Sequence, residues 1–177
     1  MKFEKIQQSQ YKDFAEEVYI QSFPRDERRD FSLIYELIGK EKFSFFIITD
    51  EQENNKPVGI ISLWGFSYFA YIEHFAVKKN LRNKGYGSKI LDMIKENTPK
   101  PIIIEVELSN SLDAIRRINF YKRKGFTLVN EKYIQPSYSP ERNAIPMQLM
   151  ITTNDSLQQF SIKEIISELH HNVYKII

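Results

Sequence analysis

The feature that most constrains this chain is a basic glycine turn between an apolar strand and a helix. Residues 81–88 read Leu-Arg-Asn-Lys-Gly-Tyr-Gly-Ser; they follow an apolar run over residues 71–77 and precede a helical pattern that begins at Ile90. Glycine lets a backbone adopt positive φ and approach a phosphate closely. Because the first N–H groups of a helix have no intrahelical partner, they favour an anion. The sequence therefore predicts a phosphate-binding turn.

Spacing excludes two common phosphate motifs at this turn. A P-loop requires a lysine and then a serine or threonine after a second glycine that lies five positions beyond the first. Here Gly85 and Gly87 are two positions apart, and Ser88 precedes Lys89. A dinucleotide-binding fingerprint requires a third glycine three residues after Gly87, where Ile90 stands. What remains is Arg-x-x-Gly-x-Gly at the end of a strand.

Composition indicates a globular protein and excludes several kinds of chemistry. The chain has 177 residues, of which 42% are hydrophobic and 27% charged, which suits one domain with a proper core. Cysteine is absent, which excludes disulfides, thiolate catalysis and cysteine-bound zinc, and we expect no metal. The net charge of +2 gives no overall field toward nucleic acid. Without a signal region or an apolar run of about 20 residues, the sequence predicts a cytoplasmic protein that does not contact membranes.

The periodicity of apolar residues predicts a mixed α/β fold. The expected order is a strand, two helices, three strands, a helix, a strand, a helix, two strands at residues 126–134 and 147–152, and a final helix. The helix after the third long strand returns the chain to a strand at Ile102, which requires a parallel pair. We therefore expect a largely antiparallel central sheet flanked by helices. Residues 1–153 form the predicted domain, and residues 154–177 a helical extension packed on it.

Two segments together resemble the GCN5-related N-acetyltransferases, the GNAT superfamily. The first is residues 71–87, in which the strand Tyr-Ile-Glu-His-Phe-Ala-Val is followed, after four residues, by Arg-Asn-Lys-Gly-Tyr-Gly. The second is residues 118–126, Ile-Asn-Phe-Tyr-Lys-Arg-Lys-Gly-Phe, which is similar to the family's ending of the helix after the fifth strand. The order of elements is similar throughout residues 1–153. The resemblance implies the GNAT fold, here with an added C-terminal helix.

The resemblance also implies acetyl-CoA or coenzyme A as a cosubstrate. Backbone N–H groups of residues 82–88 would hold the pyrophosphate, and the backbone of residues 75–77 would pair with the pantetheine arm like an added strand. The implied cofactor contacts are Phe75, Ala76, Val77, Arg82, Asn83, Lys84, Gly85, Tyr86, Gly87, Ser88, Arg117, Asn119, Phe120, Tyr121 and Arg123. Many family members carry an asparagine early in the second helix of the motif. Residues 113–115 are Asp-Ala-Ile here, so that contact is not carried over, and Asn110 and Asn119 are only weak substitutes for it.

Transfer of an acetyl group from a thioester to an amine requires a neutral amine and an acid for the leaving thiolate. The resemblance implies that Tyr121 is this acid, and a phenol with a pKa near 10 can protonate a thiolate. Two carboxylates are candidate bases, Glu73 and Glu105. Glu105 is also suited to binding a cationic acceptor. The sequence leaves open which of them is the base.

Strand alternation makes a prediction about the direction of Glu73. It places Glu73 on the same face as Phe75 and Val77, and His74 on the opposite face, as a structural residue.

The resemblance places the acceptor between the first two helices and the loop before the last strand. The implied acceptor contacts are Arg25, Arg28, Tyr138 and Arg142. The resulting prediction is an N-acetyltransferase in which a primary amine of a small molecule, peptide or protein attacks acetyl-CoA directly in a ternary complex. The alternative is a non-catalytic module of the same fold that senses acyl-CoA. A homodimer through the C-terminal helix is left open.

Overall fold

The computed structural model describes residues 1–40, 42–129, 131–152 and 161–175. Strands lie at Lys2–Lys5 (β1), Phe43–Asp50 (β2), Lys56–Gly65 (β3), Ala70–Val77 (β4), Ile102–Glu107 (β5), Phe126–Leu128 (β6), Tyr133–Gln135 (β7) and Ile145–Thr152 (β8). Helices lie at Lys12–Ser22 (α1), Phe31–Leu37 (α2), Tyr86–Glu96 (α3), Leu112–Arg123 (α4) and Ile162–Asn172 (α5). The mixed α/β fold predicted from the periodicity is confirmed.

The strands form one sheet whose order is β1-β2-β3-β4-β5-β8-β6, with β7 also paired to β8. Among the described strands, β4 and β5 are the one parallel pair, and α3 is the crossover that joins them. A parallel pair needs such a crossover because both strands must start at the same end of the sheet.

The segment predicted as one strand at residues 126–134 forms two, β6 and β7. Four residues separate Leu128 from Tyr133, whereas only two separate their partners on β8, Met150 and Met147. The segment is therefore longer than its counterpart on β8, and although the Val129 N–H still donates to the Leu149 carbonyl at 2.9 Å, the strand is interrupted before Tyr133. Periodicity alone did not reveal this interruption, because the apolar residues on both sides of it continue.

Each face of the sheet packs against its own apolar cluster. Helices α1, α2 and α5 cover one face, with Tyr19, Ile34 and Leu169 fully buried. Helices α3 and α4 cover the other, around Ile90 and Ile118. Burial of a side chain such as leucine contributes about 1.5–3 kcal/mol, so α5 is held by its apolar stripe.

Helix α5 begins at a capping box, in which Ser161 and Glu164 satisfy each other's backbone N–H groups. The predicted boundary at residues 153 and 154 lies outside the described residues. Within the described part of the chain, every helix is too short or too polar to cross a lipid bilayer.

A β-bulge in β4 overturns the predicted direction of Glu73. In the ladder with β3, Leu63 pairs with Ile72 and Ser62 pairs with His74, so Glu73 is an extra residue. A bulge breaks the alternation of side chains. Glu73 and His74 therefore point to the same face, and their side chains approach to 3.8 Å.

The bulge also separates Glu73 from the residues that follow it. Phe75 and Val77 pack on the face covered by α3 and α4. Glu73 bonds to Trp64, which lies in the cluster on the opposite face.

The parallel pair between β4 and β5 is short. It joins Ala70, Tyr71 and Ile72 of β4 to residues 102–104 of β5. Beyond these residues the two strands are not paired with each other. The inner edge of β4 at residues 73–77 is therefore separated from β5. This split in the middle of the sheet positions the candidate site.

Candidate active site

A cavity of about 770 Å³ lies at the split between β4 and β5. It runs from the glycine turn before α3 to the 3-10 turn after α1 and the ends of β7 and β8. Both candidate bases and the candidate acid line it: Glu73, Glu105 and Tyr121. The structure thus brings together residues from three separate elements of the chain.

The glycine turn has the backbone geometry of an anion-binding helix start. Gly85 precedes α3 with φ of 84°, and Asn83 has φ of 62°, both in the left-handed region. Glycine adopts this conformation without a steric cost. Gly87 and Ser88, in the first turn of α3, line the cavity, and the first N–H groups of a helix favour an anion. An added Cβ on Gly87 would lie 3.5 Å from the ring of Phe120, an ordinary contact.

Arg82 braces this turn. Its Nε donates to the Val77 carbonyl at 3.1 Å and its Nη2 donates to the Ser22 hydroxyl at 3.1 Å. The arginine therefore ties the turn to the end of β4 and the end of α1 while it lines the cavity.

The predicted cofactor contacts line the cavity with two exceptions, Lys84 and Tyr86. The Tyr86 hydroxyl instead donates to Asp50 at 2.8 Å, which turns the ring toward the β2–β3 hairpin. The cavity-lining members are Phe75, Ala76, Val77, Arg82, Asn83, Gly85, Gly87, Ser88, Arg117, Asn119, Phe120, Tyr121 and Arg123.

Helix α4 presents three arginines to the cavity. Arg117 is paired with Glu107, and Arg116 with Asp113 at 3.2 Å. Arg123 makes no ion pair with any residue that the structure describes. Of the three, Arg123 is the one whose charge is available to an anion.

Tyr121 enters the cavity from the face covered by α3 and α4. It is 7% exposed, and its hydroxyl bonds to no residue in the described ranges. Burial raises the pKa of Tyr121 to about 12. The phenol therefore carries its proton at neutral pH, as a general acid must.

Glu73 is the anion of a buried ion pair. Its carboxylate accepts from Arg29 Nη2 at 2.5 Å, from Trp64 Nε1 at 2.8 Å and from the Tyr138 hydroxyl at 3.0 Å. Burial alone would raise the pKa of Glu73, but the Arg29 guanidinium and the Trp64 hydrogen bond bring it below its ordinary value. The side chain of Glu73 is fully buried. It is a charged and saturated carboxylate, a poor proton acceptor.

Glu105 is a carboxylate held by hydroxyl groups. It accepts from Tyr133 and from Tyr174, whose oxygen lies 3.0 Å from Oε1 and 2.9 Å from Oε2. Burial raises the pKa of Glu105 to about 7, although hydrogen bonds from Tyr133, Tyr174 and Tyr71 oppose the rise. A base is most effective when its pKa is close to the working pH, so Glu105 suits proton abstraction at neutral pH.

His74 is structural, as the sequence indicated. Its Nδ1 meets the Ser62 hydroxyl at 3.1 Å and its Nε2 meets the Glu27 carbonyl at 3.1 Å. A carbonyl can only accept, so Nε2 carries the proton. Burial lowers the pKa of His74 to about 4, which keeps the ring neutral.

The four residues predicted to contact the acceptor do not line the cavity. Arg28 donates to the Phe23 carbonyl, Arg142 is buried beside Asp30, and Tyr138 is in the Glu73 cluster. Arg25 belongs to the 3-10 turn after α1 and is likewise absent from the lining.

Sequence reasoning missed residues at this end of the cavity. The lining there includes Glu27, Glu107, Gln135 and Met147. Burial raises the pKa of Glu27, and the neighbouring charge of Glu107 adds to the rise. Glu107 could have been found, since it shares a strand face with Glu105. Glu27 sits in a charged run that gave no such signal.

Comparison with known proteins identifies the family. Residues 41–128 match the family described as acetyltransferase (GNAT) domain. A solved structure from Bacteroides thetaiotaomicron, described as an acetyltransferase of the GNAT family, is 37% identical over 100% of both chains with a TM-score of 0.90. The chain belongs to the GNAT superfamily.

Two further relatives are more distant from this GNAT chain. The Bacillus subtilis (strain 168) acetyltransferase YjbC is 33% identical over 63 residues, 34% of this chain and about a third (32%) of the length of that relative. An aminoglycoside 6'-N-acetyltransferase, solved in complex with coenzyme A, is 14% identical over 86% of this chain and 97% of its own, with a TM-score of 0.61. The second likeness shows the GNAT fold alone.

Proposed function

We propose that the protein transfers an acetyl group from acetyl-CoA to a primary amine, which attacks directly in a ternary complex. The observation that carries the proposal is a single cavity that Tyr121 enters from one face of the split sheet and Glu105 from the other. One group would take a proton from the amine and the other would return a proton to the thiolate.

The open edge of β4 and the glycine turn support acyl-CoA as the donor. Residues 82–88 would hold the pyrophosphate through backbone N–H groups, and Arg123 would add charge. The inner edge at residues 75–77 would pair with the pantetheine arm in the manner of an added strand. When bound, the thioester supplies the acetyl group. Acetyl is the acyl group that the matched family and relatives name.

Glu105, rather than Glu73, is the base that we propose. Glu73 keeps a low pKa because Arg29 neutralises it, and three donors occupy its oxygens. Glu105 has a pKa of about 7 and no cation among its hydrogen-bond partners in the described part of the chain. It would hold the amine proton as the nitrogen attacks.

The acceptor end of the cavity favours an amine that arrives as a cation. Glu27 and Glu107 flank it, and the pKa of Glu27 is raised by burial and by Glu107, although Arg117, which pairs with Glu107, opposes the rise. A cation between the two carboxylates would relieve their repulsion. The acceptor is a small molecule or an amine of a peptide or protein.

The substitution Glu105→Gln tests the base directly. Release of thiol from acetyl-CoA would be followed with a panel of amines: a diamine, an aminoglycoside and a peptide with a free N-terminus and a lysine. We expect kcat to fall by ~10²–10⁴ because proton abstraction is lost, while the Kd for coenzyme A, measured by calorimetry, stays unchanged. Glu36→Gln, on the exposed side of α2, is the matched control. Unchanged turnover in Glu105→Gln would remove the base role.

Tyr121→Phe tests the acid in the same assay. It deletes only a hydroxyl, so we expect turnover to fall by ~10²–10⁴ while coenzyme A still binds. Turnover close to that of the wild type would refute the acid role. Coenzyme A binding without turnover on any amine of the panel would contradict the proposed reaction.

A further inference from the structure

We infer that Tyr174, which follows α5 near the C-terminus, is a positioning residue for the Glu105 carboxylate. The inference rests on the proposed function, because it concerns the base of that reaction. Tyr174 lies outside residues 41–128, the segment matched to the acetyltransferase domain. The segment after the domain would thus complete the catalytic centre.

The contact between Tyr174 and Glu105 is close and two-sided. The tyrosine oxygen lies 3.0 Å from Oε1 and 2.9 Å from Oε2 of the carboxylate. Tyr174 itself is 8% exposed and belongs to the apolar cluster under α5. A hydroxyl that is nearly equidistant from both oxygens restricts rotation of the carboxylate, since either rotation lengthens one contact. It thereby limits the directions in which the carboxylate can meet an amine.

The backbone next to Tyr174 is fixed by a second contact. The carbonyl of Val173 accepts from Arg29 Nη2 at 3.2 Å, and Arg29 is the cation paired with Glu73. Lys42 donates to Asn172 at 2.9 Å one residue earlier. The tail is therefore anchored at the Arg29–Glu73 pair while its next side chain reaches Glu105.

Other titratable groups also face Glu105. From β7, Tyr133 donates to it; from β4, Tyr71 bonds to the Tyr174 hydroxyl at 3.2 Å and also faces the carboxylate. The charge of Glu73, on the same strand as Tyr71, repels that of Glu105. Tyr138 lies 3.5 Å from Tyr174. Tyr174 is the member of this set that the C-terminal segment contributes.

The test compares Tyr174→Phe with Tyr19→Phe. Tyr19 is a buried tyrosine of the same apolar cluster whose hydroxyl serves the Arg29 backbone and does not contact Glu105. Loss of a hydrogen bond to a carboxylate favours its neutral form, so Tyr174→Phe should raise the pKa of Glu105 by about one pH unit or more. Carboxyl carbon shifts from NMR would follow this titration, and Tyr19→Phe should leave it unchanged.

Kinetics with the amine panel provide the second readout. In Tyr174→Phe we expect kcat/KM to stay below the wild-type value at pH 9, where the carboxylate is charged in both proteins but less restricted in rotation. Below pH 6 we expect a further fall of about tenfold, because the raised pKa leaves less of the base in its charged form. Full recovery of the wild-type kcat/KM at pH 9, or an unchanged Glu105 titration, would overturn the inference.

A third measurement applies if Tyr174→Phe does not fold. In the wild type, the NMR chemical shift of Tyr174 Cζ should change over the same pH range in which Glu105 titrates. A Tyr174 shift that does not change over this range would also overturn the inference. Failure of the proposed function has a different signature. In that case Glu105→Gln keeps its turnover, whether or not Tyr174 changes the Glu105 titration.

Discussion

Two glutamates on neighbouring strands, Glu73 on β4 and Glu105 on β5, lie on the same face of the sheet, but their pKa values are shifted in opposite directions. Glu73 has a guanidinium, an indole N–H and a phenol as donors, and its pKa is lowered. Among the residues that the structure describes, Glu105 has only phenols as hydrogen-bond donors, and burial raises its pKa to about 7. Both carboxylates are hydrogen-bonded, so hydrogen bonding alone does not decide their charge.

The difference shows what a buried cation contributes. A hydroxyl can donate to a carboxylate, but it carries no net charge to offset the cost of desolvation. A guanidinium donates hydrogen bonds and also carries a positive charge, so it keeps the carboxylate ionised. A site that needs a proton acceptor near neutral pH therefore gains from tyrosines around its carboxylate, and a site that needs a fixed anion gains from an arginine.

Removal of the cation should produce the largest effect. Arg29→Met leaves Glu73 buried without a counterion, and we expect the free energy of unfolding at pH 7 to fall by about 3–5 kcal/mol. Urea denaturation measures the change. The double variant Arg29→Met with Glu73→Gln should recover most of the loss, because no uncompensated charge remains. A cost below about 1 kcal/mol for the single variant would mean that Glu73 does not depend on Arg29.

The pH dependence of stability should have opposite signs at the two glutamates. The folded protein keeps a proton on Glu105 up to about pH 7, whereas the unfolded chain releases it near the ordinary value of 4.5. The wild type therefore loses about 3 kcal/mol of stability from this residue as pH rises through that window. Glu105→Gln should gain by this amount over the wild type between pH 4.5 and 7.

Glu73→Gln should behave in the opposite way at lower pH. Because the folded-state pKa of Glu73 is lowered, its stabilisation is present above the ordinary pKa and is lost as pH falls through the folded-state value. The stability advantage of the wild type over Glu73→Gln should therefore shrink only below about pH 4.5. Denaturation curves at a series of pH values measure both slopes, and slopes of the same sign would contradict the assignment.

Single hydroxyl deletions should give the smallest effects. Tyr133→Phe removes a donor from Glu105 and Tyr138→Phe removes one from Glu73. Each should cost about 1–3 kcal/mol, the usual range for a hydrogen bond to a charged group. NMR titration should show that Tyr133→Phe raises the pKa of Glu105 alone and Tyr138→Phe that of Glu73 alone. A shared response would show that the two carboxylates titrate as one unit.

Local patterns in the sequence were enough to predict the helices, the crossover, the cavity-lining turn and every strand except the interruption between β6 and β7. Gly85 takes the left-handed conformation expected of it, and Tyr121 and Glu105 reach one cavity. These predictions depend on periodicity and on short motifs, which are properties of neighbouring residues.

The features that the sequence did not reveal depend on pairings between distant residues. The direction of Glu73 required knowledge of a bulge, which is set by the ladder with β3 rather than by β4 itself. Tyr174 lies 69 positions from the carboxylate that it contacts. Arg142 lies 112 positions from Asp30, with which it pairs, so its charge gave no sign that it would be buried. Tertiary packing decides such partners, and a sequence read locally does not contain them.

The split between β4 and β5 also bears on the solubility of the protein. An unpaired strand edge at the rim of a sheet invites another chain to add to it, which is a route to aggregation. Here the open edge at residues 73–77 faces inward, between two strands of the same sheet. A β-sheet of another chain cannot reach this edge, but a single extended ligand can. The fold thus keeps its backbone donors and acceptors accessible to a ligand while it shields them from other copies of itself.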